Sequence, residues 1–150
     1  MKFYTFDETT YPGIPDDVGP EIKLTNRFCD PALAAQTYQE HLDEWVLCEE
    51  LGFDGALVNE HYFTYFNINP SSTVLAAALI TRTKRMEVGV IGHVLPLRHP
   101  IQTAEEFASS TCSPGAGLLA ASCVVCRRSS FRITSIRLPV VSALPSPTTF

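Results

Sequence analysis

The sequence predicts an α/β chain built on a parallel sheet. Three observations carry that expectation. Short β-favouring runs alternate with longer helical patterns through residues 1–108, no run is joined to the next by a hairpin turn, and the second run is apolar on both faces. Three strand–helix units in succession imply right-handed crossovers between parallel neighbours. Strands covered on both sides read as continuous apolar stretches rather than as alternation.

The elements follow in order. Lys2–Phe6 (KFYTF) is a short aromatic strand. A Pro/Gly-rich loop follows over 7–30, with YPGIPDD as its turn signal; loops this long within compact domains are often functional. Asp30 caps a helix whose first position is Pro31 and which stops at Gly52. Ala34, Tyr38, Leu42, Trp45 and Cys48 recur at three- and four-residue steps, a buried stripe, with Glu40, Asp43, Glu44 and Glu49 mostly off it. Ala56–Asn59 is the second strand. A second helix starts near Pro70, with Asn69 as cap and Arg82, Lys84 and Arg85 at its C-terminal end. Glu87–His93 is the third strand, and Pro100 opens the third helix.

In parallel sheets the chemistry sits at the C-terminal ends of the strands. Those ends are Phe6–Glu8, Asn59–Phe63 and Gly92–Leu95. No Gly-x-Gly-x-x-Gly or Walker loop follows any strand, which disfavours an ordinary nucleotide-binding fold. Asn59–Phe63 (NEHYF) offers an amide, a carboxylate, an imidazole and two rings at one strand end. An imidazole such as that of His61 is able to move a proton or polarise an oxygen, and Tyr62 and Phe63 could wall a flat ligand. The same residues also suit a capped strand whose histidine bonds a backbone carbonyl. In Gly92–Pro100 (GHVLPLRHP), Gly92 permits close backbone approach and His93 could face a ligand, whereas Arg98 and His99 fit a strand-to-helix turn. His41, mid-helix among acids, is expected in solvent. His61, His93 and His99 lie in different units without metal-ligand spacing, so no metal site is expected.

The whole chain has 150 residues and a net charge of −5, but the balance is uneven. All 16 acidic residues lie at or before Glu106. Residues 109–150 have no acid and no lysine, only Arg127, Arg128, Arg132 and Arg137, together with three of the five cysteines. No stretch reaches the ~18 apolar residues of a membrane span, and MKFYTFDETT is not a secretory signal, so the cytosol is the default location. The sparse arginines, with Phe131 the one interleaved aromatic, make a poor nucleic-acid arm. Cys123 and Cys126 form a single Cys-x2-Cys pair, with Cys112 the one other nearby thiol. A structural zinc site needs four ligands.

Several blocks, in order, carry a resemblance: EELGFDGALVNEHYF, NPSSTVLAAALITRTKRMEVGV and GHVLPLRHPIQTAEEFA. Residues 1–108 resemble the N-terminal part of the bacterial-luciferase-like, flavin-dependent monooxygenases. The resemblance implies the first three βα units of a TIM (β/α)8 barrel, left incomplete, with an irregular tail over 109–150. It implies reduced FMN, or in some members the deazaflavin F420, bound at the strand ends. It carries over His61 as the histidine beside the flavin ring and Val94 and Leu95, with His93, as the segment packed on that ring; Asn59 and Gly92 belong to the same strand ends. It further implies O2 and a small organic substrate, a flavin reductase as electron donor and a full-length form compatible with a dimer. The physical needs agree: a flat ring wants an apolar wall and backbone approach, and oxygen chemistry on it must be shielded from water and protonated on time.

Beyond Ala108 the family pattern stops, but it is recoverable in another frame. The third base of each codon joined to the first two of the next allows Asp-Leu-Leu-Ser-Gly-Gly-Arg from Thr111–Gly117 and Arg-Gly from Val124 and Val125. From Arg127–Phe150 it allows PSEFFPYNVNPAASRERFTESYDF, a hypothetical string that resembles the family's continuation. A slip of reading frame near Ala108 is therefore expected, with the fragment inactive by itself and the two cysteines accidental. The rival readings are an F420-dependent hydride-transfer enzyme on the same fold and a short zinc- or partner-binding module using the Cys/Arg tail.

Overall fold

The computed structural model describes residues 1–16, 26–110, 118–122 and 134–136. Five strands form one sheet in sequential order: β1 (Tyr4–Phe6), β2 (Gly55–Val58), β3 (Glu87–Val90), β4 (Leu118–Ser122) and β5 (Thr134–Ile136). The first four are parallel, and β5 runs antiparallel to β4. Three helices connect the first four: α1 (Pro31–Glu50), α2 (Ser72–Arg82) and α3 (Pro100–Ser110).

α1 begins and ends as its sequence dictates. Asp30 Oδ1 accepts the amides of Ala32 at 2.8 Å and Leu33 at 3.4 Å, which satisfies two of the orphan donors of the first turn. Gly52 terminates it at φ +98°, a left-handed conformation that glycine adopts without a Cβ penalty. Leu42 and Trp45 of the expected stripe are buried, with Tyr38 and Cys48 packed at the margin. They belong to one buried cluster with Leu75, Ala76, Leu79 and Ile80 of α2 and Val58, Val88 and Val90 of the sheet. Glu49, expected off the stripe, acts structurally. Its carboxylate accepts the amides of Lys84, Arg85 and Met86 at 2.8–3.2 Å and ties the end of α1 to the α2–β3 turn.

Several boundaries differ from expectation for local reasons. β1 starts at Tyr4 rather than Lys2. β2 stops at Val58 because the carbonyl of Asn59 accepts from the side-chain amide of Asn69 at 2.6 Å instead of from a ladder partner. β3 stops at Val90 because Gly92, at φ +76°, turns the chain; a 3₁₀ turn, Leu95–Leu97, follows. α2 starts at Ser72, two residues past the expected start. Ser71 is its cap residue without a side-chain cap bond, and Asn69 instead accepts the amide of Ser71 at 3.3 Å.

The expected irregular tail is corrected in part, because it contributes β4 and β5. The outer edge of β3 presents unpaired backbone groups, and the apolar run LLAAS takes that edge with Leu118 opposite Val88. Cys123, Cys126 and the four tail arginines lie outside the described residues, as does most of the long loop after residue 16.

Leu79 is completely buried at the contact of α2 with the sheet. Leu79→Ala should lower the unfolding free energy by about 2–5 kcal/mol, read by urea denaturation followed by circular dichroism.

Candidate functional site

Alternation past the end of β2 sends Asn59 and Glu60 into two different hydrogen-bond networks. The first joins the loops after β1 and β2. Glu8 Oε2 accepts the side-chain amides of Asn59 at 2.7 Å and Asn67 at 2.8 Å. Asn67 also donates to Asn59 Oδ1, and its own Oδ1 accepts the amide of Asn69 at 2.8 Å. Backbone bonds zip the same loops together: Tyr11 donates to Tyr65 at 3.0 Å and Ile68 to Thr9 at 2.8 Å. Asn59, Asn67 and Asn69 are all buried, so each amide needs these partners.

His61 stands at the mouth of this network. Its amide donates to the Asn69 carbonyl at 3.0 Å. Its ring is 43% exposed, with Nε2 3.8 Å from Glu8 Oε2 and its edge against Phe66 at 5.8 Å between centroids. The imidazole is thus held at the backbone, faces a carboxylate, and keeps contact with water.

The second network surrounds Glu60, whose side chain is fully buried. Oε1 accepts the amide of Val94 at 2.8 Å and the hydroxyl of Tyr62 at 3.2 Å. Oε2 accepts the amide of Ser72 at 3.1 Å, its hydroxyl at 2.6 Å and Arg98 Nη2 at 3.2 Å. His93 Nδ1 lies 2.9 Å from Ser72 Oγ and 3.3 Å from Glu60 Oε2. The single hydroxyl proton of Ser72 is committed to Glu60, so His93 Nδ1 carries the hydrogen it shares with Ser72. Arg98 continues to Glu106 at 3.3 Å, and Thr73 also donates to Glu106, at 3.2 Å. Burial alone would raise the Glu60 carboxyl. The bonds from His93, Ser72 and the amides of Val94 and Ser72 outweigh it and hold the group well below the usual carboxylate range. Burial and the neighbouring Glu60 charge push the Tyr62 hydroxyl up.

The candidate residues therefore divide. His61 is accessible at the sheet end. Gly92 has open space where a Cβ would be, and Leu95 is 37% exposed, so backbone and apolar surface are both presented there. Val94 is half-buried. Asn59 is buried and serves as a hub rather than a contact surface. His93 is not turned to a ligand: it is 1% exposed, between the start of α2 and Phe107 of α3, its ring 5.2 Å from that phenyl. Phe63 is almost wholly exposed, in a left-handed conformation at φ +56° that is uncommon for a bulky residue, whereas Tyr62 reaches back to Glu60. Glu8, Ser72 and Arg98 were not among the expected site residues. The one signal for Glu60 was its position between Asn59 and His61, where alternation turns it to the opposite side.

His41 is also corrected: it is largely buried, with Nδ1 2.5 Å from Asp7 and 3.3 Å from Glu44. Asp7, His41 and Glu44 are the one group of metal-ligand types gathered among the described residues. Two ligands about 2.1 Å from a shared ion and at tetrahedral angles stand about 3.4 Å apart, so the 2.5 Å contact between His41 and Asp7 is that of a direct pair.

Residues 21–111 match the family model for luciferase-like monooxygenases. The chain belongs to the luciferase-like monooxygenase family. Among curated relatives it is 39% identical over 90 residues to the alkanal monooxygenase alpha chain of Photobacterium leiognathi, covering 57% of this chain and 25% of that one. It is 39% identical over 62 residues to the alpha chain of Aliivibrio fischeri, covering 41% and 18%. The fold resembles the oxygenating constituent of 3,6-diketocamphane monooxygenase from Pseudomonas putida, a type II Baeyer–Villiger monooxygenase in complex with FMN (TM-score 0.53, 20% identity, 74% of this chain and 26% of that one). It also resembles apo-MsnO8 (TM-score 0.57, 24% identity, 78% and 31%). The chain thus spans about a quarter of the length of its luciferase-like relatives.

A carboxyl held low in the folded state stabilises above its unfolded pKa of about 4.3, and that stability is lost as pH falls toward the folded value. Wild-type protein should therefore lose more stability than Glu60→Gln between about pH 6 and about pH 3. Urea titrations at both pH values measure the difference.

Proposed function

We propose that this chain is the N-terminal part of a flavin-dependent monooxygenase, which binds reduced FMN at the C-terminal ends of its parallel strands and transfers one oxygen atom of O2 to an aldehyde or ketone. The observation that carries the reading is the half-exposed His61, backed by Glu8, at the same sheet end as the open Gly92 backbone and exposed Leu95. The residues present fit a flat ring: Gly92 tolerates close approach, and Leu95 and Phe66 supply apolar surface. Reduced flavin supplies the electrons that activate O2. His61 holds or delivers a proton at Nε2, and the carboxylate of Glu8, itself fixed by Asn59 and Asn67, lies 3.8 Å from that nitrogen and favours its protonated form. The carbonyl substrate class follows the names of the alkanal and Baeyer–Villiger relatives.

The same reading makes the 150-residue chain inactive by itself. A closed (β/α)8 barrel takes ~250 residues, and the antiparallel β4–β5 pair is not a step in such a barrel. The family match ends at residue 111, five residues past the last acid, Glu106, which supports a slip of frame near Ala108. Residues 1–108 are then the inherited part, 109–150 an out-of-frame product, and the residues that hold the FMN phosphate belong to the sequence lost with the frame. A flavin reductase supplies the reduced cofactor, and the intact enzyme works in the cytosol.

Sequencing the gene across the codons for Glu106–Thr111 should find one base missing or two added relative to intact relatives; an undisturbed frame sinks this part of the reading. In the frame-restored enzyme, reduced FMN with O2 should oxygenate an aldehyde. His61→Ala should cut that turnover by about 10²–10⁴-fold with FMN binding retained, measured by product formation and FMN titration. F420 oxidation without oxygen uptake would instead identify a hydride-transfer enzyme.

A further inference from the structure

The segment that would face the flavin is not held by the sheet. The last ladder-type bond between β2 and the chain after β3 is Ile91 N–H to the Val58 carbonyl at 2.7 Å. β4 pairs with Val88–Val90 and reaches no further. From Gly92 to Arg98 the backbone bonds among the described residues are local turns: Leu95 to His93 at 2.9 Å, Leu97 to Val94 at 3.0 Å and Arg98 to Leu95 at 3.0 Å. Such turns shape the loop without fixing where it sits. Gly92, in its left-handed conformation, adds a pivot at the point where the ladder ends.

Among the described residues, Glu60 is the side chain that joins the backbone of that segment to the end of β2. Glu60 lies at the end of β2, next in sequence to His61, and its Oε1 takes the amide of Val94 at 2.8 Å. Its other oxygen is held from α2 by the amide and hydroxyl of Ser72 and from the loop by Arg98. Hydrogen bonds to an ionised group are shorter and about twice as strong as neutral ones, and with the carboxylate wholly buried water does not compete for it.

We infer that Glu60 is a positioning residue: its carboxylate clamps the Val94 amide to the end of β2 and the start of α2, and so sets the spacing between His61 and the Gly92–Leu95 backbone. This rests on the proposed function for its purpose, since the two groups it spaces are those assigned to the flavin ring, but not for its mechanics. Arg98 and His93 belong to the clamp. Arg98 closes it from the loop it restrains, and His93 Nδ1, bonded to Ser72, holds the hydroxyl in the rotamer that donates to Glu60. Glu60 touches neither substrate nor cofactor in this scheme and acts through Val94.

The test is residue-resolved amide hydrogen exchange by NMR on the 150-residue chain, comparing wild type with Glu60→Gln and with Ser72→Ala. Glu60→Gln should accelerate exchange at His93, Val94 and Leu95 by about 10–100-fold, the range expected for loss of a charge-assisted bond, while Val58, Val88 and Val90 keep theirs within a few fold. The far-downfield Val94 amide resonance expected of a bond to a carboxylate should move upfield. Ser72→Ala, which removes one donor and leaves the carboxylate, should produce a smaller change at the same residues. Uniform acceleration across the sheet would mean a general stability role, and unchanged exchange at Val94 would mean no clamp; either overturns the inference. In the frame-restored enzyme, reduced FMN under anaerobic conditions should further slow exchange at residues 92–95. Its failure to do so counts against the proposed function, while the variant comparison still decides the clamp.

Discussion

A carboxylate cut off from water stays ionised when enough donors replace its hydration, and at Glu60 those donors come from separate elements. Val94 belongs to the loop after β3, Ser72 to the start of α2, and Arg98 to the approach to α3. Each element arrives where it does partly because this group must be satisfied. The first turn of α2 illustrates the exchange: Ser71 forms no side-chain cap bond, and the orphan amide of Ser72 finds its acceptor in Glu60 instead. A helix N-terminus is a favourable place for negative charge, so the anion and the helix stabilise one another.

From that anchor the two sides of the strand end diverge. Glu60 faces the helix layer and is dry. Asn59 bonds toward Glu8 and Asn67, which brings the loops after β1 and β2 into one unit with His61 at its opening. Three consecutive residues therefore supply a hub, a clamp and an accessible imidazole. In the proposed role His61 carries a proton, and such a group needs a rigid mount, because a misplaced one loses effective concentration against its substrate. The mount here is polar and buried, so removal of any one partner strands the others without water.

The fold was largely legible in the sequence because its cues are local and periodic. Asp30 with Pro31, Gly52, and the stripe through Leu42 and Trp45 each specify an end or a face of α1 without reference to the rest of the chain. Boundaries went astray where a side chain replaced a ladder or cap partner, as Asn69 does at the Asn59 carbonyl and Glu60 at the Ser72 amide. The site was half legible. His61 stood out by residue type and position, whereas Glu8 and Ser72 matter through partners 51 and 12 residues away in sequence. No periodicity announces such pairings. His93 misled for the same reason: a histidine beside a strand end looks like a ligand contact, and only packing against Phe107 shows the ring turned into the helix layer. His41 misled in the opposite sense, since acids around a helical histidine suggest solvent until Asp7, just past β1, closes over it.

The last strands lie along the edge that β3 offers. A βα barrel has no free edge, because every strand is paired on both sides. A sheet of three such strands ends at β3 with exposed donors and acceptors, and these reward any extended apolar segment that reaches them. LLAAS meets that requirement by composition alone: five small or aliphatic residues with no charge. The register sets Leu118 opposite Val88, and β5 returns antiparallel to β4. Among the described residues, the polar network around Glu60 extends through Arg98 as far as Glu106 on α3.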